Sequence, residues 1–287
     1  GVIKMASILE FFKHDKFALV GAIIYVLFLV VAAFAPVLAP YNPQEMVRLD
    51  GRIAFNREPC KDFKLGTTNM GRDIFSQLIY GARPALTVGF TAALFVMVVG
   101  TVVGLVAGYF GGRVDSLLMR LTDVAFGIPF DPFVIVLVSF LGPSIWNIVL
   151  AMALLLWRDT ARIIRSQVLS IKKRAFIEAA RVSGASDSRI IFSYIMPNIL
   201  PLSLLYGSLA IGWAILTEAA VSFLGFGDPT AISWGYMLHD AYVSQALSRG
   251  AFYWMIPPGI CIMLLVMAGF YISRGAEEVL QPKLRSM

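Results

Sequence analysis

The sequence predicts an all-α integral membrane protein: six transmembrane helices, with a cytoplasmic helix-turn-helix loop between the fourth and the fifth. Three observations carry that expectation. The 287 residues are 58% hydrophobic and only 15% charged, with a mean hydropathy of +0.76, whereas soluble domains carry about 25% charged residues. The apolar residues gather into runs of span length, and chain exposed to lipid must satisfy its own backbone, which a helix does. The basic residues are unevenly spread: eight of the 24 Lys and Arg lie between Arg158 and Arg189, and a basic segment between apolar runs marks the cytoplasmic side.

The first span is read at residues 17–39, about 35 Å as a helix against a hydrocarbon core of about 30 Å. Pro36 and Pro40 close it. No small-residue cleavage site follows this span-length run, so it is expected to be retained rather than removed as a signal peptide. Residues 41–83 read as a polar loop. Within it Asp73 is placed to cap a short amphipathic helix carrying Ile74, Leu78 and Ile79, lying at the membrane interface. Pro84 suits the first turn of a second span at 85–110, where Gly100, Gly104 and Gly108 form a small-xxx-small stripe for close helix packing. A third span at 116–141 is interrupted by Gly127-Ile128-Pro129-Phe130-Asp131-Pro132. A fourth is read at 145–164, a fifth at 198–223 and a sixth at 254–273, with a second outer loop at 224–253. On this topology, with both chain ends inside, sixteen of the 24 Lys and Arg fall in inner segments and eight in outer ones, in keeping with the positive-inside bias. The chain divides into an N-terminal part, 1–84 (tail, first span, outer loop with its interfacial helix), and a five-helix core, 85–287, containing a loop at 165–197.

That loop has its own local chemistry. Phe176, Ile177, Ala180 and Val182 share part of one helical face, with Lys173, Glu178 and Arg181 placed elsewhere. Ala179 and Ala180 favour helix and leave a thin surface for close approach of another backbone. Gly184 is suited to a positive φ at a helix C-terminus. Ser186 or Asp187 can cap a second short helix with Ile190, Ile191, Tyr194 and Ile195 as its apolar stripe, and Pro197 and Pro201 mark the start of the next span. The physics alone leaves two readings open, a helix-turn-helix knob with a partner or a plain positively charged loop.

Glu178-Ala179-Ala180, then Gly184, then Pro197 thirteen residues on, resembles the EAA loop of the permease subunits of ABC importers. Tyr194 and Met196 stand where that pattern has Ile and Leu. The wider run EAARVSGASDSRIIFSYIMPN, together with LGTTNMGRD at 65–73 and EAAVSFLGFG at 218–227, is similar to the dipeptide/oligopeptide/nickel branch, in particular its second permease. Thr68 stands where that branch usually has Asp. The resemblance implies a type I ABC importer-like permease fold in a prokaryotic inner membrane. It implies that the loop is a coupling helix docking on an ATPase subunit, with Glu178, Ala179, Ala180, Arg181, Gly184 and Ala185 at the contact. The implied partners are a second homologous permease as heterodimer, two cytoplasmic ATPase subunits that bind ATP and Mg, and an extracytoplasmic substrate-binding protein. Peptides are the implied cargo, with nickel complexes or oligosaccharides as alternatives. An ion-coupled transporter working alone is the rival class.

Ionisable residues inside spans are costly and are functional candidates by default. Glu218 lies late in the fifth span, where a gate role and a structural hydrogen bond are both open. Asp131 sits between two prolines in the third span, where freed carbonyls and a carboxylate can point together. Asp123 is expected to pair with Arg120 one turn before it. Trp213, mid-span, is a candidate for lining a central cavity, while Trp146, Trp157, Trp234 and Trp254 suit an interfacial belt. With no Walker-type G-x-x-x-x-G-K-[ST] run, no HExxH and no Ser/His/Asp set, the chain is expected to be non-catalytic and to hold no cofactor itself. Cys60 and Cys261 lie in unlike surroundings, and His14 and His239 fit no ligand spacing, so neither a disulfide nor a metal is expected. The net charge of +6 arises from basic residues that abut spans, which argues against nucleic acid as a partner.

Overall fold

Asp15 starts the first helix: its carboxylate accepts from the backbone N–H of Phe17 at 2.8 Å and of Ala18 at 3.3 Å, two of the donors a helix N-terminus leaves free. A computed structural model describes residues 15–280. Residues 1–14 and 281–287, which include His14 and the two chain ends expected in the cytoplasm, lie outside the described residues. Helix α1 spans Lys16–Ala33, and after a break at Phe34 a short α2 spans Ala35–Leu38 with Pro36 in its first turn. The expected first span is thus divided near its end. The following segment is more than a loop. β1 (Arg48–Leu49) pairs antiparallel with β2 (Arg52–Ile53), across Asp50 and Gly51, both at positive φ, the turn that a two-residue hairpin favours. Asp50-Gly51 was the signal for this hairpin in the sequence. Phe63 is buried beneath it against the Tyr41 ring.

The separate interfacial helix is not formed. Asp73 does cap a helix, accepting from Ser76 N–H at 2.8 Å, but that helix, α3, runs unbroken over Ile74–Phe110 with Pro84 inside it. The boundary expected at residue 84 therefore falls within one element. Its 37 residues extend about 55 Å, well beyond a core of about 30 Å. The first three turns belong to the same rod, because ten residues of apolar and polar chain between cap and proline propagate a helix more readily than they nucleate a new one.

α3 packs closely on α6, Ile145–Lys172. A Cβ at Gly104 would stand 2.5 Å from the Ala161 carbonyl oxygen and 2.8 Å from the Ile164 Cβ; at Gly100 it would stand 2.6 Å from the Thr160 Cβ, and at Gly108 2.8 Å from the Val168 Cβ. The stripe read from the sequence is this seam. Between the two helices the chain makes α4 (Gly112–Gly127) and α5 (Phe130–Leu141), bent by 84° at the Gly-Ile-Pro segment. The expected third span is a broken element. Among the described residues, four helical stretches are long and apolar enough to cross a membrane, or five if the bent pair counts as one. The helix α6 has the length but not the composition: Arg158, Asp159, Arg162 and Arg165 follow its apolar N-terminal half.

Those basic residues brace the broken span. The Arg158 guanidinium donates to the Ala125 carbonyl at 2.5 Å and the Ile128 carbonyl at 3.3 Å, acceptors that the end of α4 leaves free. Arg162 pairs with Asp123 at 2.7 Å and covers the Phe126 ring. Arg165 meets Asp115 bidentately, at 2.5 and 2.6 Å, the strong geometry for this pair. Asp123 therefore reaches across to α6 instead of pairing with Arg120, since α4 lies alongside α6 and brings a cation nearer than its own turn does.

After α7 (Ala175–Val182) and α8 (Asp187–Arg189), a π-helical turn over Ile190–Ile195 leads straight into α9, Met196–Val221, and a second π turn over Ser222–Phe226 ends it. The second loop helix is thus the root of the fifth span and not a separate short piece. Pro197 cannot donate an N–H; the wider turn ahead of it absorbs the ring, and the Asn198 amide donates to the Tyr194 carbonyl at 2.6 Å. The second outer loop holds an unforeseen helix, α10 (Trp234–Val243), capped by Ser233. α11, Phe252–Leu280, closes against α1, where a Cβ at Gly21 would stand 2.7 Å from the Ala268 carbonyl oxygen.

The seam makes a direct prediction. Gly104→Ala forces α3 and α6 apart and costs about 1–3 kcal/mol, lowering the thermal unfolding midpoint of the purified protein in detergent. Gly259→Ala, where an added Cβ meets nothing within 4 Å, leaves that midpoint unchanged or raises it; equal losses at both positions would refute the seam.

Candidate functional site

The helix-turn-helix is built on two buried isoleucines. Ile177 of α7 and Ile190 after α8 are buried, and they pack with Leu105, Ile164, Val168, Ile171, Ile195 and Ile199. Each fully buried isoleucine contributes about 2 kcal/mol. Between the two limbs Gly184 takes φ +78°, a left-handed conformation that a Cβ disfavours. A Cβ there would meet nothing within 4 Å, so the glycine is needed for the turn and not for close approach. Gly184 N–H bonds the Arg181 carbonyl at 2.9 Å, and Ala185 N–H the Ala180 carbonyl at 3.0 Å, closing the end of α7 in the way a left-handed cap does.

Polar contacts then latch the knob to α3. The Tyr109 hydroxyl donates to the Asp187 carboxylate at 2.5 Å. The Lys172 ammonium donates to the Tyr109 carbonyl, a cation at the C-terminal end of α3 where the helix dipole favours one. The Arg181 guanidinium also reaches the Tyr109 hydroxyl. Ser186 caps α8, accepting from Arg189 N–H at 3.4 Å.

The expected contact residues separate by face. Glu178, Ala179, Arg181 and Gly184 are exposed and Ala185 is half-buried. Ala180 is only 7% exposed, turned inward beside Ile177. Val182 is 90% exposed and Phe176 is exposed too; the single face that the sequence reading gave to Phe176, Ile177, Ala180 and Val182 is divided, because helix α7 is short and its inner stripe is filled by Ile177 and Ala180. Phe176, Ala179, Ser183, Arg189 and Tyr194 line a shallow cavity of about 370 Å³ on the knob. Among the described residues, none covers the knob's apolar outer side chains Phe176 and Val182.

The three pathway candidates lie apart, and among the described residues no hydrogen bond or ion pair joins them. Glu218 is 2% exposed and accepts from the Ser222 hydroxyl at 2.7 Å, with the Ser233 hydroxyl also within reach. It ties α9 to the root of α10. Trp213 is 57% exposed on α9, and Asp131 is exposed in the first turn of α5 just after the bend. The carbonyls freed at that bend are met by Arg158, a residue the sequence reading had counted only as part of the basic run; its offset to the Gly-Ile-Pro break gave no signal without the packing of α6 on α4. No group of His, Cys, Asp and Glu among the described residues is arranged to hold a metal.

The latch is testable by itself. Tyr109→Phe removes a hydrogen bond to a charged group worth about 1.5 kcal/mol, and amide exchange over 175–189 rises roughly tenfold in the purified protein, while α6 stays protected. Unchanged exchange in the knob would show that the isoleucines alone hold it.

Comparison with known proteins bears on the same elements. The family described as binding-protein-dependent transport system inner membrane component matches residues 100–286, and the N-terminal transmembrane domain of oligopeptide transport permease C matches residues 5–57. The dipeptide transport system permease protein DppC of Alkalihalophilus pseudofirmus is 38% identical over 280 residues, covering 96% of this chain and 88% of that one. The oligopeptide transport system permease protein OppC of Bacillus subtilis is 36% identical, covering 96% and 88%, and the glutathione transport system permease protein GsiD of Pectobacterium atrosepticum is 36% identical, covering 96% and 90%. With its several apolar spans, its braced broken helix and its projecting helix-turn-helix, the chain belongs to the binding-protein-dependent transport system inner membrane component family, the multi-pass permease component of ABC importers.

Proposed function

We propose that this chain forms half of the translocation pathway for di- or oligopeptides in an ATP-driven importer. Its relatives' names speak of dipeptides, oligopeptides and glutathione, and that shared chemistry supports a peptide cargo over nickel complexes or oligosaccharides. The chain works with a second homologous permease as heterodimer. Two cytoplasmic ATPase subunits supply the energy and hold ATP and Mg, so the chain itself is non-catalytic. An extracytoplasmic binding protein delivers the peptide. Both chain ends and the knob lie in the cytoplasm.

The observation that carries this reading is the two-faced knob. Its inner face is fixed by Ile177, Ile190 and the Tyr109–Asp187 latch, while its outer face offers Val182 and Phe176 uncovered beside Glu178 and Arg181. An apolar patch held rigidly on a water-facing protrusion marks a protein contact. Glu178 is the polar anchor at the ATPase, Ala179 allows close docking, Ala185 lines the adjoining cavity, and Ala180 and Gly184 shape the surface from behind. When the ATPases close, the knob is displaced, and α9 moves with it because the two are one helical stretch. α3 and α6 follow through the latch, and the spans rock as packed bodies. Asp131 and Trp213, both exposed, are proposed to face the second permease and line the shared pathway. Glu218 is proposed to hold α9 to α10 at the outer gate, a role that leaves an ion-coupled mechanism without its buried carboxylate.

Gly184→Val strains the turn. It is expected to abolish peptide uptake and its coupling to ATP hydrolysis in proteoliposomes while the chain still inserts. Glu178→Ala is expected to weaken co-purification of the ATPase subunits several-fold. Full uptake with the strained turn, together with undiminished co-purification, would defeat the assignment.

A further inference from the structure

The face opposite the knob carries a polar pocket that span packing does not explain. It is a cavity of about 270 Å³ lined by Gln44, Arg72, Gln77, Tyr236, Met237 and Asp240, among others. A groove of about 610 Å³ adjoins it and shares Gln44, Thr230 and Ile232 with it, so the pocket opens to that face. Its walls are fixed. The Thr68 hydroxyl accepts from the N–H of Met70 at 3.2 Å and of Arg72 at 3.1 Å, and Thr68 N–H donates to the Arg72 carbonyl at 2.9 Å. Thr68 thus folds the turn that presents Arg72, a task its hydroxyl performs where the resembling pattern has a carboxylate. On the other wall, Ser233 caps α10 and the Trp234 indole donates to the Leu78 carbonyl at 2.9 Å, which fixes the helix that carries Asp240. Gln44 donates to the Thr230 carbonyl at 2.6 Å and Gln77 to the Pro43 carbonyl at 3.2 Å. Both amides brace the wall.

Two opposite charges are left facing this space. The Arg72 Nε is buried without a hydrogen-bond partner. Asp240 feels the charges of Arg72 and of His239 beside it, yet Arg72 and Asp240 form no ion pair among the described residues, so their charged atoms stand more than 4.0 Å apart. Half-buried charges of opposite sign, held apart across a small pocket, suit a ligand bearing both signs. A carboxylate meets the guanidinium in its favoured planar geometry, and an ammonium meets the aspartate. The Tyr236 hydroxyl adds a polar group, and Met237 an apolar wall. Small-ligand pockets run from about 300 to 1,000 Å³; this one, of about 270 Å³, falls just below that range, so a ligand held at both charges is short.

We propose that this pocket binds a zwitterionic dipeptide, its carboxylate at Arg72 and its ammonium at Asp240. The inference rests on the peptide-import reading and assigns a site to that cargo on the outer face of the permease itself.

The test uses the complete transporter, with its partner permease and ATPases, in lipid nanodiscs without binding protein, and labelled Ala-Ala as probe. Binding is expected to be saturable, and at least tenfold weaker for N-acetyl-Ala-Ala, for Ala-Ala amide and for tetra-alanine. Asp240→Asn is expected to weaken Ala-Ala but to erase the penalty for N-acetylation only. Arg72→Gln is expected to erase the penalty for amidation only, and Arg72→Lys to retain part of the binding. Co-purification of the partner subunits confirms that each variant is assembled. No saturable binding by the wild-type complex, or equal losses of free and blocked peptides in the variants, overturns the inference. Uptake driven by the binding protein is read in parallel. Uptake of Ala-Ala without binding at this pocket overturns the inference alone, whereas no uptake of any peptide overturns the reading on which it rests.

Discussion

The contact on which the rest of this structure hangs is the close approach of α3 and α6. Three glycines one turn apart leave no side chain between the helices, so Gly100, Gly104 and Gly108 face the backbone and β-carbons of Trp157, Thr160, Ala161, Ile164, Arg165 and Val168 directly. In lipid, where apolar burial drives little association, such backbone-level packing is the main source of adhesion between helices. The seam also fixes what lies at its end. With α3 and α6 in register, Tyr109 and Lys172 meet, Ile164, Val168 and Ile171 form a floor, and the knob has a surface to sit on. From the other side of α6, Arg158, Arg162 and Arg165 reach α4.

A second constraint runs through the molecule: wherever a helix breaks, a carbonyl is left without its N–H, and in a membrane that is costly. A polar side chain answers at each break. Arg158 meets Ala125 and Ile128 at the bend of the third span. Arg83 donates to the Ala32 carbonyl at 2.7 Å, at the end of α1. Asn198 meets Tyr194 beside Pro197, and a ring nitrogen of His239 lies 2.8 Å from the Phe223 carbonyl in the outer π turn. These residues carry charge or polarity into apolar surroundings for a structural reason, and they account for polar positions that a functional reading of intramembrane residues would otherwise claim.

How much of this could be read from the sequence follows from the range of each interaction. The apolar runs, the glycine stripe, the Asp73 cap and the turn at Gly184 are local, and they were legible. So was the interruption at Gly127 to Pro132, though not its 84°. What failed was continuity. Pro84 looked like the start of a helix and lies inside a longer one; Pro197 looked like a boundary and follows a π turn within a continuous stretch. A proline marks where a donor is missing, and whether the helix stops there depends on which neighbour replaces it. The partners of Asp123 and Arg158 were illegible for the same reason: the residues they meet lie roughly thirty to forty positions away. At the candidate site the sequence showed which residues the knob holds but not how its helix divides them between faces. Phe176 and Val182 were read on one face with Ile177 and Ala180, and in a helix of only eight residues it is the isoleucines of the floor that decide which of them turn inward.

One element joins the two faces. From Asp187 to Val221 the chain is one continuous helical stretch, about 50 Å long at 1.5 Å per residue, and it then kinks at Gly225, where φ is +93°. Its inner end is Asp187, latched to Tyr109. Its outer end carries Glu218 and Phe223, tied to Ser222 and His239 at the base of α10. Asp240 of the polar pocket is the residue next to His239. π turns lie near both ends, at Ile190–Ile195 and Ser222–Phe226, where the hydrogen-bond register is one residue wider than in the α-helix between them, and such turns are frequent at functional sites. A displaced knob therefore has a covalent, hydrogen-bonded path to the pocket wall that needs no relay of side chains across the bilayer. The opposite wall belongs to α3 and the loop before it, which the glycine seam binds to α6. Arg72 and Asp240 thus stand on walls carried by different elements, the loop before α3 and α10.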